Sequence, residues 1–219
     1  MTRAPKRAYD AGPRRERAEA ERLATRRRVI AAARRLFIRS GYTATTMTEI
    51  AAEAGVALQS VYKAGTNKAE LLHMVVDLEV AGDDDEVMVS DRASFQAIGK
   101  QTDPRRQVHM IADLIAATQE RSASIQVAFR QAAAVDDAVA AHLDAALQRR
   151  LETFTVIIGM IPGDRLSRPL DESTESAWAI GSSEVFLLLR NVRGWDADHY
   201  RRWLRRTLAD VLLKPAPAG

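Results

Sequence analysis

The sequence predicts an all-α protein of about nine helices, with an N-terminal three-helix unit bearing a helix-turn-helix and a larger helical domain behind it. Three observations carry this. Apolar residues recur at helical spacing in most segments, Ser, Thr, Asp or Asn stands ahead of several of those stripes, and no segment alternates as a strand would. No internal repeat occurs.

Composition sets the outer bounds. The 219 residues are 47% hydrophobic, enough for a proper core, and no cysteine is present for a disulfide framework or thiolate metal site. No apolar run approaches the roughly 20 residues of a membrane span, and the N-terminus lacks the apolar core of a secretory signal. A cytoplasmic protein with no membrane partner is expected. Net charge is only +3, but residues 1–72 hold 15 Lys and Arg against 7 Asp and Glu, whereas the remainder holds 17 against 22. A basic first third joined to an acidic remainder points to a polyanion at the N-terminal end.

In chain order, residues 1–13 carry Pro5, Gly12 and Pro13 among scattered basic residues and read as a disordered basic arm. Arg3, Lys6, Arg7, Arg14 and Arg15 are positioned to meet phosphates or a minor groove, or to serve only as a solvated tail. From Arg14 to about Ser40, the stripe Val29, Ile30, Ala33, Leu36 and Phe37 predicts a long helix closed by Gly41. Thr46 and Glu49 have the spacing of a capping box, so a short helix opens at Met47, with Ile50, Ala51 and Ala54 inward. Gly55 suits a left-handed turn. Val56 and Val61 then point inward and Gln59, Ser60 and Lys63 outward, the pattern of a DNA-reading helix-turn-helix rather than of a plain αα-corner. Asn67 and Glu70 make a second box, opening a fourth helix near Lys68 with Leu71, Leu72, Val75 and Leu78 buried.

The order Gly41-Tyr-Thr-Ala-Thr-Thr-Met-Thr-Glu-Ile-Ala-Ala-Glu-Ala-Gly-Val, then Val61-Tyr62, Asn67-Lys68 and Leu71-Leu72, resembles the tetracycline-repressor (TetR) family over about residues 20–75. The resemblance implies that Tyr62 and Lys68 contact phosphates and that Thr46 caps its helix beside the DNA backbone. It places Gln59, Ser60 and Lys63 on the recognition helix, with Ala57 and Leu58 at its start. It also implies a repressor that binds a palindromic operator and is released by a small-molecule effector. Two positions depart from the family pattern. Gly65 stands where an aromatic is usual, and Ala57 where Ser or Thr often caps the recognition helix.

Beyond residue 80 the chain is less regular. Asp83-Asp-Asp-Glu86 lacks the alternate spacing of a calcium loop and reads as a solvated loop or helix end. Asp103-Pro104 starts a helix to about Gln119, and Ser124 to Ala134 reads as a separate one. A long helix runs from Asp136 to Ile158, then a loop to Pro169, then a helix capped by Asp171 or Ser173, and a last one capped by Asp196. The expected division is therefore a 1–13 arm, a 14–66 DNA-binding domain, a 67–214 effector-binding and dimerisation domain, and a 215–219 tail.

Because one recognition helix reads too little DNA, a homodimer is expected. Its candidate interface is Trp178, Gly181, Val185 and Leu189 on the penultimate helix with Trp203, Leu204, Leu208 and Val211 on the last, though these residues would also serve as core. For an effector, the candidates are His109, Met110, Leu114, Phe129 and Arg130, joined by Phe154, Trp178 and Phe186. Met88 and Phe95 lie among the same middle helices. At helical spacing such residues also fit ordinary packing. No cofactor, metal or catalytic residue is expected: His73, His109, His142 and His199 lie far apart, and there is neither a Gly-rich phosphate loop nor a nucleophile elbow. The rival function is a helical adaptor that binds protein rather than DNA, which the N-terminal charge opposes.

Overall fold

A computed structural model describes residues 12–82 and 93–215. Most of the basic arm, the acidic run with Met88, and the end of the tail lie outside the described residues. Ten α-helices occur among those described: α1 (Gly12–Ser40), α2 (Met47–Ala54), α3 (Leu58–Ala64), α4 (Lys68–Ala81), α5 (Ala93–Lys100), α6 (Pro104–Ala133), α7 (Asp137–Ile158), α8 (Leu170–Ile180), α9 (Ser183–Leu187) and α10 (Ala197–Leu212). A π-helical turn at Leu188–Val192 continues α9. The all-α reading holds, and the described residues contain no strand, only an isolated bridge between Leu166 and Leu213.

Two apolar cores organise the helices. The first gathers Val29, Ile30, Leu36 and Phe37 of α1, Ile50 of α2, Val61 of α3 and Leu71, Leu72 and Val75 of α4, and it continues into Ile125, Ala128 and Phe129 of α6 and Val139 of α7. The second joins Ile111 and Ile115 of α6, Ile157 and Ile158 of α7, Phe186 of α9 and Tyr200, Leu204 and Leu208 of α10. Helix α6 therefore contributes to both. α4 shares its buried residues with the helix-turn-helix while also packing on α6 and α7.

Three elements differ from the sequence expectation. The two helices expected over 103–134 are one 30-residue helix, α6. The polar stretch at its middle resembles a break but has no Gly or Pro. Ser122 bonds back to the Thr118 carbonyl at 2.8 Å, and Gln119 is buried, so polar residues are accommodated without ending the helix. Helix α5 has no counterpart in the expected pattern; it is short, and only Phe95 and Ile98 are buried. Neither Asp171 nor Ser173 caps α8. Its N-cap is Pro169, Asp171 and Glu172 sit in the first turn where the dipole favours carboxylates, and the Ser173 hydroxyl donates to the Arg168 carbonyl at 3.2 Å.

The long amphipathic helix expected after residue 171 is also interrupted. At Gly181 the backbone lies so close to α6 that a β-carbon would stand 3.0 Å from Ile115 Cγ2, and Gln119 Nε2 donates to the Gly181 carbonyl at 2.7 Å. That carbonyl is thereby withdrawn from the helix ladder. Ser182 restarts the helix as α9 by accepting from Val185 N at 3.3 Å.

Candidate nucleic-acid interface and interior cavity

The helix-turn-helix is built from local chemistry. Thr46 Oγ1 accepts from Glu49 N at 3.1 Å while Glu49 Oε2 accepts from Thr46 N at 2.8 Å, closing the capping box that starts α2. Those hydrogen bonds also hold the exposed Glu49 carboxyl below its usual range. Gly55 ends α2 at φ 64°, ψ 42°, and Val56 N donates back to the Ala51 carbonyl at 3.1 Å. This left-handed residue turns the chain into α3 with no steric penalty. α3 buries only Val61. Ala57, Leu58, Gln59, Tyr62 and Lys63 are exposed, Ser60 is half-buried, and Thr46 is exposed beside the start of α2. Ala57 supplies no side-chain cap; its carbonyl accepts from Ser60 N at 2.8 Å, and the exposed start of α3 is left without a side-chain acceptor.

Gly65 has an ordinary extended backbone, φ −147°, ψ 124°, and so is not there to relieve a turn. It is buried, and a β-carbon would lie 3.1 Å from Leu71 Cβ. The space in which an aromatic was expected is closed by α4 itself, and Leu71 supplies the apolar anchor.

Two side chains fasten this unit to the helices behind it. Lys68 Nζ donates to the carbonyls of Tyr42 and Thr45 at 3.0 and 3.1 Å and lies 4.1 Å from the centre of the Tyr42 ring. Its ammonium is thus engaged inside the unit, clamping the α1–α2 link to the start of α4. Tyr42 is buried, and its hydroxyl donates to Asp136 Oδ2 at 2.6 Å, the residue that caps α7. Burial, aided by Asp136, pushes the Tyr42 hydroxyl well above its ordinary value, and the same hydrogen bond holds the Asp136 carboxyl down. On the opposite flank, His73 of α4 and His142 of α7 stack with ring centres 4.5 Å apart.

Above α4, helices α4 to α7 and Gly181 line an open-sided cavity of about 610 Å³. Its walls include Val76 and Val80 of α4 with Gly82 just past its end, Phe95 of α5, Leu114, Gln119 and Phe129 of α6, and Leu147, Arg150 and Phe154 of α7. Of the residues expected to hold an effector, Leu114, Phe129, Arg130 and Phe154 line it. The other four do not. His109 and Met110 sit a turn or more up α6, where burial and the charges of Arg205 and Arg105 hold the His109 imidazole below its usual value. Phe186 is buried edge-on against Tyr200 at 4.8 Å, and Trp178 lies behind Arg150 at 4.8 Å from its guanidinium. Sequence reasoning missed Arg150 and Gln119 because neither is apolar; the one available signal was their place on the inward stripes of α7 and α6.

Residues 29–75 match the family described as bacterial regulatory proteins, tetR family, which is the stretch from the buried end of α1 through α4. Over that stretch the chain carries the N-terminal domain of the tetR family. The rest of the chain shares the fold of solved regulators. NalD, the secondary repressor of the MexAB-OprM multidrug efflux pump in Pseudomonas aeruginosa, is 20% identical with a TM-score of 0.67, covering 89% of this chain and all of that one. A candidate transcriptional regulator from Saccharomonospora viridis, in complex with choline, is 17% identical with a TM-score of 0.64, covering 87% and 98%. The fatty acid degradation regulator FadR of Bacillus halodurans is 14% identical at 0.63, covering 84% and 94%. No curated protein sequence matches the chain. TetR-family regulators are DNA-binding transcription factors, not enzymes. Among the described residues, no helix is long and apolar enough to cross a membrane.

In this tetR-type fold, three of the expected dimer contacts are corrected. Leu204 and Leu208 are fully buried in the second core, and Gly181 is held against Ile115, so all three are consumed within one subunit. Trp178 is half-buried over Arg150. Val185, Leu189, Trp203 and Val211 keep part of their surface, and Leu188 and Val192, not among the expected contacts, are 56% and 72% exposed.

Proposed function

We propose that this regulator is a ligand-responsive repressor that binds a palindromic operator as a homodimer and leaves it when a small molecule fills the cavity. The observation that carries the reading is the double attachment of α4. Its C-terminal half forms a wall of the cavity, and its first residue, Lys68, is clamped to the link ahead of the helix-turn-helix. A ligand that presses on Val76 or Val80 therefore acts on the element that sets the pose of α3. For such a device to be allosteric, the ligand must bind the DNA-free pose more tightly than the DNA-bound one.

On this reading Gln59, Lys63 and Tyr62 face the DNA, with Gln59 toward base edges and the exposed N-terminal end of α3 toward phosphate. Repression is supported by NalD, described as a secondary repressor. The dimer forms through the partly exposed face of α9, the π turn and α10, using Leu188, Leu189, Val192, Trp203 and Val211. Arg205, paired in two contacts with Asp113, holds α10 on α6 behind that face.

Analytical ultracentrifugation with a mobility-shift titration tests this. A dimer at micromolar concentration that shifts a palindromic fragment, with affinity falling steeply as salt rises, is the expected result. A monomer that shifts DNA with intact affinity contradicts the dimer, and a protein that shifts no genomic fragment contradicts the regulator and favours the adaptor.

A further inference from the structure

The cavity holds two polar groups whose bonding is incomplete. Arg150 is half-buried on its wall, with its guanidinium 4.7 Å from the centre of the Phe154 ring and 4.8 Å from that of Trp178. Among the described residues, its one hydrogen bond is from Nη2 to the Trp178 carbonyl, at 2.6 Å. A guanidinium carries five N–H donors, so most of its capacity is unused. The other cations of the cavity are engaged. Arg130 pairs with Glu184 at 2.8 Å, Arg149 lies 3.6 Å from Asp77, and Arg121 donates to the carbonyls of Glu79, Val80 and Ala117. Arg150 has no carboxylate partner among the described residues. Burial pushes its guanidinium down to about 10, and the nearby charge of Arg130 acts in the same direction against an opposing pull from Glu184. A charge withdrawn from water with no counter-ion is costly unless something else supplies one.

The second group is Gln119, only 3% exposed. Its Nε2 donates to the Gly181 carbonyl, which fixes the amide's orientation, and its Oε1 is buried without a donor. The carbonyls that hold Arg150 and Gln119 belong to residues 178 and 181, one helical turn apart, which is about 5 Å. The two side chains are thus anchored on neighbouring carbonyls, and both line the cavity together with Gly181. Most of the remaining wall is apolar, with Phe95, Leu114, Phe129, Leu147 and Ile157, and the engaged Arg121, Arg130 and Arg149 share it with Asp77, Thr118, Gln126 and Thr153. A volume of about 610 Å³ lies in the range of small-molecule sites.

We infer that the cavity takes an organic acid with an apolar body and a hydroxyl or N–H close to its carboxylate, the carboxylate seated on Arg150 and the donor on Gln119. This rests on reading the cavity as an effector site. A cationic ligand is disfavoured, because Arg150 already sets a positive charge over the Phe154 ring of the wall and would repel a second one.

Isothermal titration of the full chain with 2-hydroxydecanoate, decanoate, decan-1-ol and decyltrimethylammonium tests the class directly. Decanoate should bind at least about tenfold more tightly than decan-1-ol, the worth of one charge-assisted hydrogen bond. The hydroxy acid should bind several-fold more tightly again, and the ammonium weakest. Arg150→Met should lower the acids to the level of the alcohol and leave the alcohol unchanged, whereas Gln119→Met should erase only the gap between the two acids. The inference is overturned if neither acid binds, if the ammonium binds as well as decanoate, or if Arg150→Met leaves the acid-to-alcohol ratio intact. Should that variant fail to fold, the wild-type order decides alone. Operator release is read separately by mobility shift. Acids that bind in this order without releasing DNA uphold the ligand class and overturn the effector reading, while release by the ammonium alone does the reverse.

Discussion

The helix-turn-helix and the cavity above it are opposite kinds of construction. In the first, the caps and the turn are closed by neighbours a few residues away: Thr46 by Glu49, Glu70 N by Asn67, Gly55 by the end of α2. The surface left over is a short helix with its polar face turned outward. In the second, the polar groups meet across long stretches of chain, Arg150 with Trp178 and Gln119 with Gly181, and both stop short of full satisfaction. A site that reads a rigid polymer is complete in itself. A site that receives a small molecule leaves bonds for the ligand to make, and is looser for it.

The contrast is open to experiment. The largest expected effect is in the tight region: Phe37→Ala, at a residue 1% exposed, should cost about 3–5 kcal/mol of stability, whereas Leu147→Ala on the cavity wall should cost under about 1 kcal/mol because one side of it already faces open space. Equal losses in thermal or denaturant melts would erase the distinction. Gly65→Phe, which restores the residue type expected from the family pattern, should destabilise by roughly 1–3 kcal/mol through its clash with Leu71 Cβ. A variant more stable than wild type would show that α4 can retreat. Gln59→Ala should leave melting unchanged and relax preference at one base position by about 1–3 kcal/mol, read in a competition series over single-base operator variants.

Smaller effects probe the fastenings. Lys68→Ala removes two bonds to carbonyls, so operator affinity and melting temperature should fall together by the equivalent of about 1–2 kcal/mol, with the salt slope nearly unchanged. A slope reduced by about one unit with melting intact would instead make Lys68 a direct phosphate contact. Tyr42→Phe should cost about 1 kcal/mol. The wild-type bond should contribute evenly from about pH 4 to about pH 10. Asp136, held down in the folded protein, loses its contribution as pH falls through that lowered value, and Tyr42, pushed up, loses its own only as pH rises past the ordinary tyrosine range near 10. A difference between Tyr42→Phe and wild type that varied across neutral pH would contradict the assignment.

How much of this was legible in the sequence tracks the same division. The caps at Thr46, Asn67, Asp103 and Asp196 were readable because a cap and its amide lie within three residues, and all four close in the structure. The exposure of Gln59 and Lys63 followed from spacing around Val61. Spacing does not encode which of two helices a residue meets. Leu204 and Leu208 read equally as interface or core, and only the approach of α6 decides for core. Gly181 promised a close approach and makes one, but to Ile115 of its own chain. Likewise α6 read as two helices because buried Gln119 and Ser122 look like a break until their partners at Gly181 and Thr118 are known. Arg150 carried only its place on the inward stripe, four residues after Ala146 and four before Phe154, and an arginine on a mixed helix face is ordinarily solvated.

The central claim is that this protein reads a specific DNA sequence through α3. Fluorescence anisotropy with a genomic fragment recovered by selection, and with a scrambled fragment of equal length and composition, tests it most directly at one fixed, near-physiological salt concentration. The account predicts a dimer on a palindromic site whose affinity exceeds that for the scrambled fragment by about a thousandfold or more. Equal affinity for the two fragments would contradict it.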